Sequence, residues 1–243
     1  MPRKPAKQSV SDMDAAPGGA AAVDRALSIL SAFGVGAEAL SLVQIAEATG
    51  LYKSTVLRLL ASLEHGRLIR RLADGRYSLG VEVARLYSAY THSFALSEVV
   101  LPAMERLVDI TRESASFHVR QGDQRLCLYR VDSPQPIRDH IRAGTLLPLD
   151  RGSGGRVLLA FEGEPGEIYD QIRKARQMSS IGDRQEGVAG ISSPVFDAAG
   201  KLVGAVTLTM PATRFQETHK EAVLAAAIEM TQGLGGSAHL YAQ

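Results

Sequence analysis

A single cysteine, Cys127, stands in a chain of 243 residues, so neither an internal disulfide framework nor a multi-cysteine metal site can form. A reducing, cytoplasmic setting is the expectation. No apolar run approaches the roughly 18 residues that a membrane-crossing helix needs, and no hydrophobic segment follows the basic residues at the N-terminus. Export and membrane insertion are therefore not expected. The glycine-rich segment Gly152-Ser153-Gly154-Gly155 also lacks the marks of nucleotide sites and hydrolases. Val157 stands where a dinucleotide fingerprint requires glycine, no Walker lysine follows, and the G-x-S-x-G spacing is missing. His118 and His140 have no companion acids at ligand spacing, so no metal and no cofactor is expected. What remains is ordinary globular material, 45% hydrophobic and 22% charged, long enough for two domains with a core in each.

The most informative stretch is 41–63, SLVQIAEATGLYKSTVLRLLASL. Ser41 with Gln44 three residues on is a capping-box signature, and Leu42, Ile45 and Ala46 give the helix it opens an apolar face. Thr49-Gly50 ends that helix. A second helix follows, with Val56, Leu59, Leu60 and Leu63 on one side and Lys53, Ser54, Thr55, Arg58 and Ser62 elsewhere. Two helices joined by a tight glycine-containing turn, the second basic at its start, describe a helix-turn-helix whose second helix reads the major groove. A helical hairpin with a solvated face is the alternative.

Residues 67–79, RLIRRLADGRYSL, decide between them: alternating apolar positions run into Asp74-Gly75, read as a two-residue hairpin turn, and then into Tyr77 and Leu79. This is a wing. Between Lys53 and Arg76 six basic residues face two acids, although the whole chain carries only +1. Positive charge is thus concentrated where phosphate would be met.

Residues 1–20 hold three prolines, two glycines and little to bury, and read as a disordered arm; Arg3, Lys4 and Lys7 either touch DNA or solubilise the tail. Val23, Ala26, Leu27, Leu30 and Phe33 define a first helix ended by Gly34 and Gly36, completing a winged helix-turn-helix over 21–80. Leu40 to Leu42 either adds a short strand beside the wing or enters the helix. A connector helix over 81–95, with Val83, Leu86, Tyr87 and Tyr90 in one stripe, packs on its own domain or on a second subunit. His92, near its end, reads as a surface residue.

In the second domain, 96–243, a helix over 96–112 starts from Ser97 as cap. Strands are read at 115–120, 126–131 and 137–142, a loop entering a helix at 152–161, a helix at 164–175, and a hairpin over 190–197 and 201–210. A long helix runs to about Gly233 from a Thr218/Glu221 capping box. Strands flanked by helices imply an α+β layer.

Gly152 to Gly155 before an apolar helix either forms an ordinary glycine-rich turn or presents free amides to a carboxylate or phosphate. Thr207 and Thr209 share one strand face, as exposed β-formers or as pocket hydroxyls, while Val206, Leu208 and Met210 share the core face. Cys127 reads as a small hydrophobe.

These pieces together resemble the IclR (isocitrate lyase regulator) family of bacterial transcription factors from Val23 to about Gly235. The matching segments are VDRALSILSAF, TGLYKSTVLRLLASLEHGRLIRR, DGRYSLG, the LPL-RGSGGRVLLA segment and GDRQEGVAGISSPVFDAAGKLVGAVTLTMPATR. The resemblance implies a connector helix, a C-terminal effector domain similar to GAF sensors, dimers or tetramers built from dimers, and control of carbon or aromatic catabolism. It also implies DNA-facing roles for Lys53, Ser54, Thr55, Arg58 and Arg76, and an effector pocket at Ser153, Gly154, Val188, Gly190, Thr207 and Thr209. Three positions depart from the family pattern: Tyr52 where proline is frequent, Arg156 where lysine is, and Gly190, which leaves pocket space unfilled. The function expected is a cytoplasmic, non-enzymatic repressor or activator that binds a pseudo-palindromic operator and answers to a small organic acid, aromatic acids included. A hydrolase using Ser153 and a ligand-independent architectural DNA binder are the alternatives.

Overall fold

Ser41 and Gln44 form the reciprocal cap expected of them. The Ser41 hydroxyl accepts the Gln44 amide at 3.3 Å, and the Gln44 side-chain oxygen accepts the Ser41 amide at 2.8 Å. Two orphan donors of a helix start are thereby satisfied. The structure, a computed structural model, describes residues 9, 13, 15–34, 38–92 and 96–242 and divides into two units, 1–91 and 92–243.

The first unit holds α1 (Ala21–Ser31), α2 (Leu42–Thr49), α3 (Lys53–His65), a hairpin of β1 (Ile69–Arg71) and β2 (Tyr77–Leu79), and α4 (Val81–His92). Gly50, at φ 67°, ends α2 in the left-handed conformation that glycine adopts without a Cβ penalty. Ile29, Ile45, Leu51, Val56, Leu60, Leu63, Ile69 and Tyr77 form the core. Leu40 bridges Tyr77 through two backbone hydrogen bonds of 2.8 Å, Ser41 caps, and Leu42 begins α2, so strand and helix entry meet within three residues.

The packed stripe of α1 differs from the sequence expectation. Ile29 is its fully buried residue, flanked by Ala26, Leu30 and Phe33, while Val23 and Leu27 are exposed. The helix is rotated so that positions 26, 29, 30 and 33, a complete i, i+3, i+4, i+7 set, face α2 and α3. The wing turn differs too. Leu72 accepts the Gly75 amide and donates to the Arg76 carbonyl, with Gly75 at φ 83°. That is a three-residue loop with a bulge glycine, because a two-residue I′ turn would need positive φ at Asp74 as well. On α4, Val83 is half-buried and Leu86 and Tyr87 are exposed. Residues 93–95, the side chains of Tyr90 and His92, Gly36, and residues 1–8, 10–12 and 14 of the arm lie outside the described residues.

In the second unit α5 (Leu96–Thr111) leads into β3 (Ser114–Gln121) and β4 (Gln124–Val131). Then come β5 (Leu146–Pro148), α6 (Gly152–Phe161), α7 (Glu167–Ala175), β6 (Met178–Ile181), β7 (Val188–Phe196), β8 (Leu202–Pro211) and α8 (Thr218–Gly233). The six strands make one antiparallel sheet in the order β5-β4-β3-β8-β7-β6. One face packs Phe117, Ile191, Val206, Leu208 and Met210 against α5 and α8. The other is covered by α6, with α7 against it. This is an α+β architecture with a helix-turn-helix unit ahead of it.

Three local expectations fail, and two strands were not foreseen. The 137–142 segment forms no strand. Pro134 and Pro136 precede it, and it is tied down by side chains instead: Asp139 pairs with Arg130, and the Ile137 carbonyl accepts Arg214 Nη2 at 2.9 Å. The edge of β4 is filled by β5, which the sequence reading passed over together with β6. Ser97 lies inside α5, which begins at Leu96. Thr218 and Glu221 form no capping box, since α8 is entered from a helical Glu217 without a side-chain cap.

Candidate functional site

Two sites emerge, one on each unit. On the first, Val56, Leu60 and Leu63 anchor α3 in the core, which turns Lys53, Ser54 and Arg58 to solvent and leaves Thr55 half-buried. No ion pair engages Lys53 or Arg58 among the described residues. Tyr52, 69% exposed, precedes the helix. The wing arginines are positioned by neighbours. Arg70 Nε donates to Ser78 Oγ at 2.9 Å, Arg71 lies over the Tyr77 ring, and Arg76 Nε meets Asp74 Oδ2 at 2.7 Å. The Arg76 amide, and secondarily its guanidinium, hold the Asp74 carboxyl below its ordinary pKa. Lys53 and Arg58 are thus free cations at a helix start of groove-fitting size, whereas Arg76 must exchange Asp74 for any phosphate it meets.

The second site lies on the α6 side of the sheet. The registers bring Arg125 and His118, then Ser116, Thr207 and Thr209, then Ser192, Gly190 and Ser180 onto one face. A hydroxyl chain crosses it: Ser153 Oγ to Ser192 Oγ at 2.7 Å, Ser192 Oγ to Thr207 Oγ1 at 2.8 Å, Thr207 Oγ1 to His118 Nδ1 at 3.2 Å. All four side chains are buried. Ser153, Val188, Gly190, Thr207 and Thr209 line a cavity of about 20 Å³ with His118, Arg125, Ser180 and Arg184. Gly154 stands behind it. A Cβ there would lie 2.4 Å from Arg125 Nη1 and 2.7 Å from Thr207 Oγ1, so only glycine admits the guanidinium to this turn of α6. The space left by Gly190 is taken by Ser153, whose Oγ a Cβ would meet at 2.9 Å.

An outer cleft of about 510 Å³ adjoins the inner cavity, and Ile141, Arg184 and Val188 line both. Burial, then repulsion from Arg125, Arg130 and Arg184, pushes His118 well below its ordinary pKa, so the imidazole is neutral. Burial and the nearby Arg184 bring Arg125 down to about 10, which leaves it cationic at neutral pH. Burial pushes the Cys127 thiol up to about 11, as befits a small core side chain. Asp183 is committed elsewhere, accepting the Gly152 amide and Arg156 Nη2, each at 2.8 Å.

Two hydroxyls separate Ser153 from His118, and no carboxylate among the described residues orients the imidazole, so the arrangement lacks the adjacent base that a serine nucleophile needs. The sequence reading overlooked His118 as a lining residue, and with it Arg125, Ser180 and Arg184. One signal was present: Arg125 alternates with Cys127 onto the buried side of β4, where a charged residue has to have a partner.

Comparison with known proteins agrees over both units. Residues 22–73 match the IclR helix-turn-helix domain, and residues 88–184 and 164–234 match the C-terminal domain of bacterial transcriptional regulator IclR. The HTH-type transcriptional regulator BhcR of Paracoccus denitrificans is 27% identical over 89% of this chain and 87% of its own. The glycerol operon regulatory protein of Streptomyces griseus is 28% identical over 79% and 85%. Among solved structures, an IclR homologue of Microbacterium hydrocarbonoxydans complexed with 4-hydroxybenzoate shares the fold, with a TM-score of 0.80 at 22% identity over 88% of this chain and 98% of its own.

Proposed function

The chain belongs to the IclR family of bacterial transcriptional regulators, and from that premise we propose that it represses catabolic genes by binding a pseudo-palindromic operator as a homodimer or a tetramer built from two dimers, and that a small organic acid releases it. Lys53, Ser54, Thr55 and Arg58 face the major groove and Arg76 reaches the backbone beside the wing. Ser153, Gly154, Val188, Gly190, Thr207 and Thr209 belong to the effector site.

The observation that carries this reading is the exposed cationic start of α3, held rigidly by a buried apolar stripe and free of competing acids at Lys53 and Arg58. A two-fold assembly would set half-sites one helical turn or a multiple apart. The polar cavity of the second unit, next to a cleft of ligand size, supports the effector half of the reading. A relative that binds 4-hydroxybenzoate keeps aromatic acids among the candidates.

The test is binding of the full chain to fragments of its own genome, promoters beside its gene included, across a salt series. Log affinity should fall linearly with log salt for at least one fragment, and an effector acid should lower that affinity roughly 5- to 150-fold, the usual range for coupled sites. Absence of salt-sensitive binding to every fragment would sink the reading.

A further inference from the structure

We propose that Arg125 receives the carboxylate of the effector, with the acid's hydrocarbon body lying outward in the cleft along Ile141, Val188 and Met210. This deepens the regulator reading above and rests on it.

The argument is one of unanswered charge. Arg125 is 3% exposed, its Nε has no hydrogen-bond partner, and no carboxylate pairs with it among the described residues. A buried guanidinium left so is costly. Its position adds to the cost: besides the approach to Gly154, a Cβ on Gly152 would lie 3.1 Å from Nη2, so the fork abuts the first turn of α6, where the helix dipole repels a cation. Of the two acids nearby, Asp183 is engaged by Arg156 and the Gly152 amide, and Asp139 pairs through Oδ1 with Arg130 and through Oδ2, which makes no hydrogen bond, with Arg184. Arg184 brings a second cation whose Nη2 makes no hydrogen bond and lies 3.6 Å from Asp139 Oδ2. His118 Nε2, on a side chain 1% exposed, is unpartnered as well. The fold has therefore placed Arg125 against one small space without pairing a carboxylate to it among the described residues, the acids around it being held by other arginines.

The shape of the space narrows the class. The inner cavity holds about one water, so only a small, flat head group suits it, and Arg184 lines both this cavity and the cleft outside it. A planar carboxylate matches the planar arginine fork in two parallel hydrogen bonds; tetrahedral phosphate is bulkier and does not. Beyond the head, Ile141, Val188 and Met210 supply apolar wall on which an alkyl or aryl body can lie, while Asp139, Arg184 and Gln185 make other parts of the cleft polar.

The experiment uses the full chain without DNA. Calorimetric titration and thermal unfolding are run with acetate, hexanoate, benzoate and phenylacetate, the primary amide of each, and inorganic phosphate, on the wild type, Arg125→Gln and Arg125→Lys. The expected result is binding of at least one hydrocarbon acid but not its amide, a loss of about 30-fold or more in Arg125→Gln, as for truncating one partner of a buried charge pair, and partial recovery in Arg125→Lys. Ligand-free Arg125→Gln should unfold at or above the wild-type temperature, because it sheds an uncompensated buried charge. The proposal is overturned if no acid binds the wild type at millimolar concentration, if an amide or phosphate binds as well as the acid, or if Arg125→Gln binds the acid as tightly as the wild type. Ligand-free Arg125→Gln unfolding well below the wild type overturns it too, since a structural role predicts that. Failure of the wild type to bind DNA would overturn the regulator reading and leave this readout untouched.

Discussion

Arg58 and Arg125 carry the same guanidinium in opposite surroundings. Arg58 projects into water from a helix whose far side is locked into the core, and its charge is solvated in the free protein. Arg125 is enclosed between a sheet and a helix start, with no carboxylate paired to it among the described residues and with a neutral histidine beside it. On the proposed reading, function in the first unit lies on a surface that stability does not depend on. In the second it would rest on the same buried residues as stability, so a ligand bound there would also change how well the unit is held together, which is the requirement for a sensor.

That contrast can be broken at several points. The largest effect is expected from Gly155→Ala. Its Cβ would lie 2.2 Å from the Leu149 carbonyl oxygen, so the backbone feeding α6 must move, at a cost of about 3 kcal/mol in denaturant unfolding together with loss of effector response. A stable, responsive variant would show that the nest tolerates more than its geometry allows. Arg58→Ala is expected to cost about 1–3 kcal/mol of operator affinity by fluorescence anisotropy and to leave unfolding within about 0.5 kcal/mol of wild type; a large stability loss would erase the distinction between the units.

The pH dependence tests the buried side. His118 has a folded pKa well below its unfolded value near 6.5, so the unfolded chain binds the extra proton. Stability is therefore full above about pH 6.5 and falls as pH drops below it, with a slope approaching about 1.4 kcal/mol per pH unit in urea unfolding. His118→Gln should flatten that slope. A remainder is expected from His219, which partial burial lowers in the same direction. Smallest is Ser41→Ala, which removes the acceptor for the Gln44 amide and should lower stability of the first unit by about 1 kcal/mol, operator affinity falling only as far as that unit frays.

The first unit was largely legible because its signals are local. The Ser41/Gln44 cap, the Gly50 stop and the Val56-Leu60-Leu63 stripe each lie within one turn or a few turns of helix, and each reappears in the structure. Even there the α1 stripe was misplaced. Val23 and Leu27 are as apolar as Ile29, and which of them is buried depends on how α1 rolls against α2 and α3. The second unit was legible in its hairpin and helices but not in its strand count: β5 and β6 are short and pair across the sheet, while 137–142, apolar enough to pass for a strand, is held by Arg130 and Arg214 in irregular backbone. The glycine-rich loop and the two threonines drew notice separately. Arg125 did not, and His118 was weighed only as a metal ligand, because a strand residue's neighbours come from other strands.

The order of amino acids alone was enough to determine that two helices in tandem present a basic edge ahead of a hairpin, since caps, turns and helical periodicity act over a few residues and need no partner from afar. Only the tertiary structure decided that His118, Arg125, Ser153 and Thr207, drawn from three strands and a helix start, share one enclosed space. Pairing register sets which side chains meet across a sheet, and burial then turns an ordinary arginine into a cation waiting for an anion.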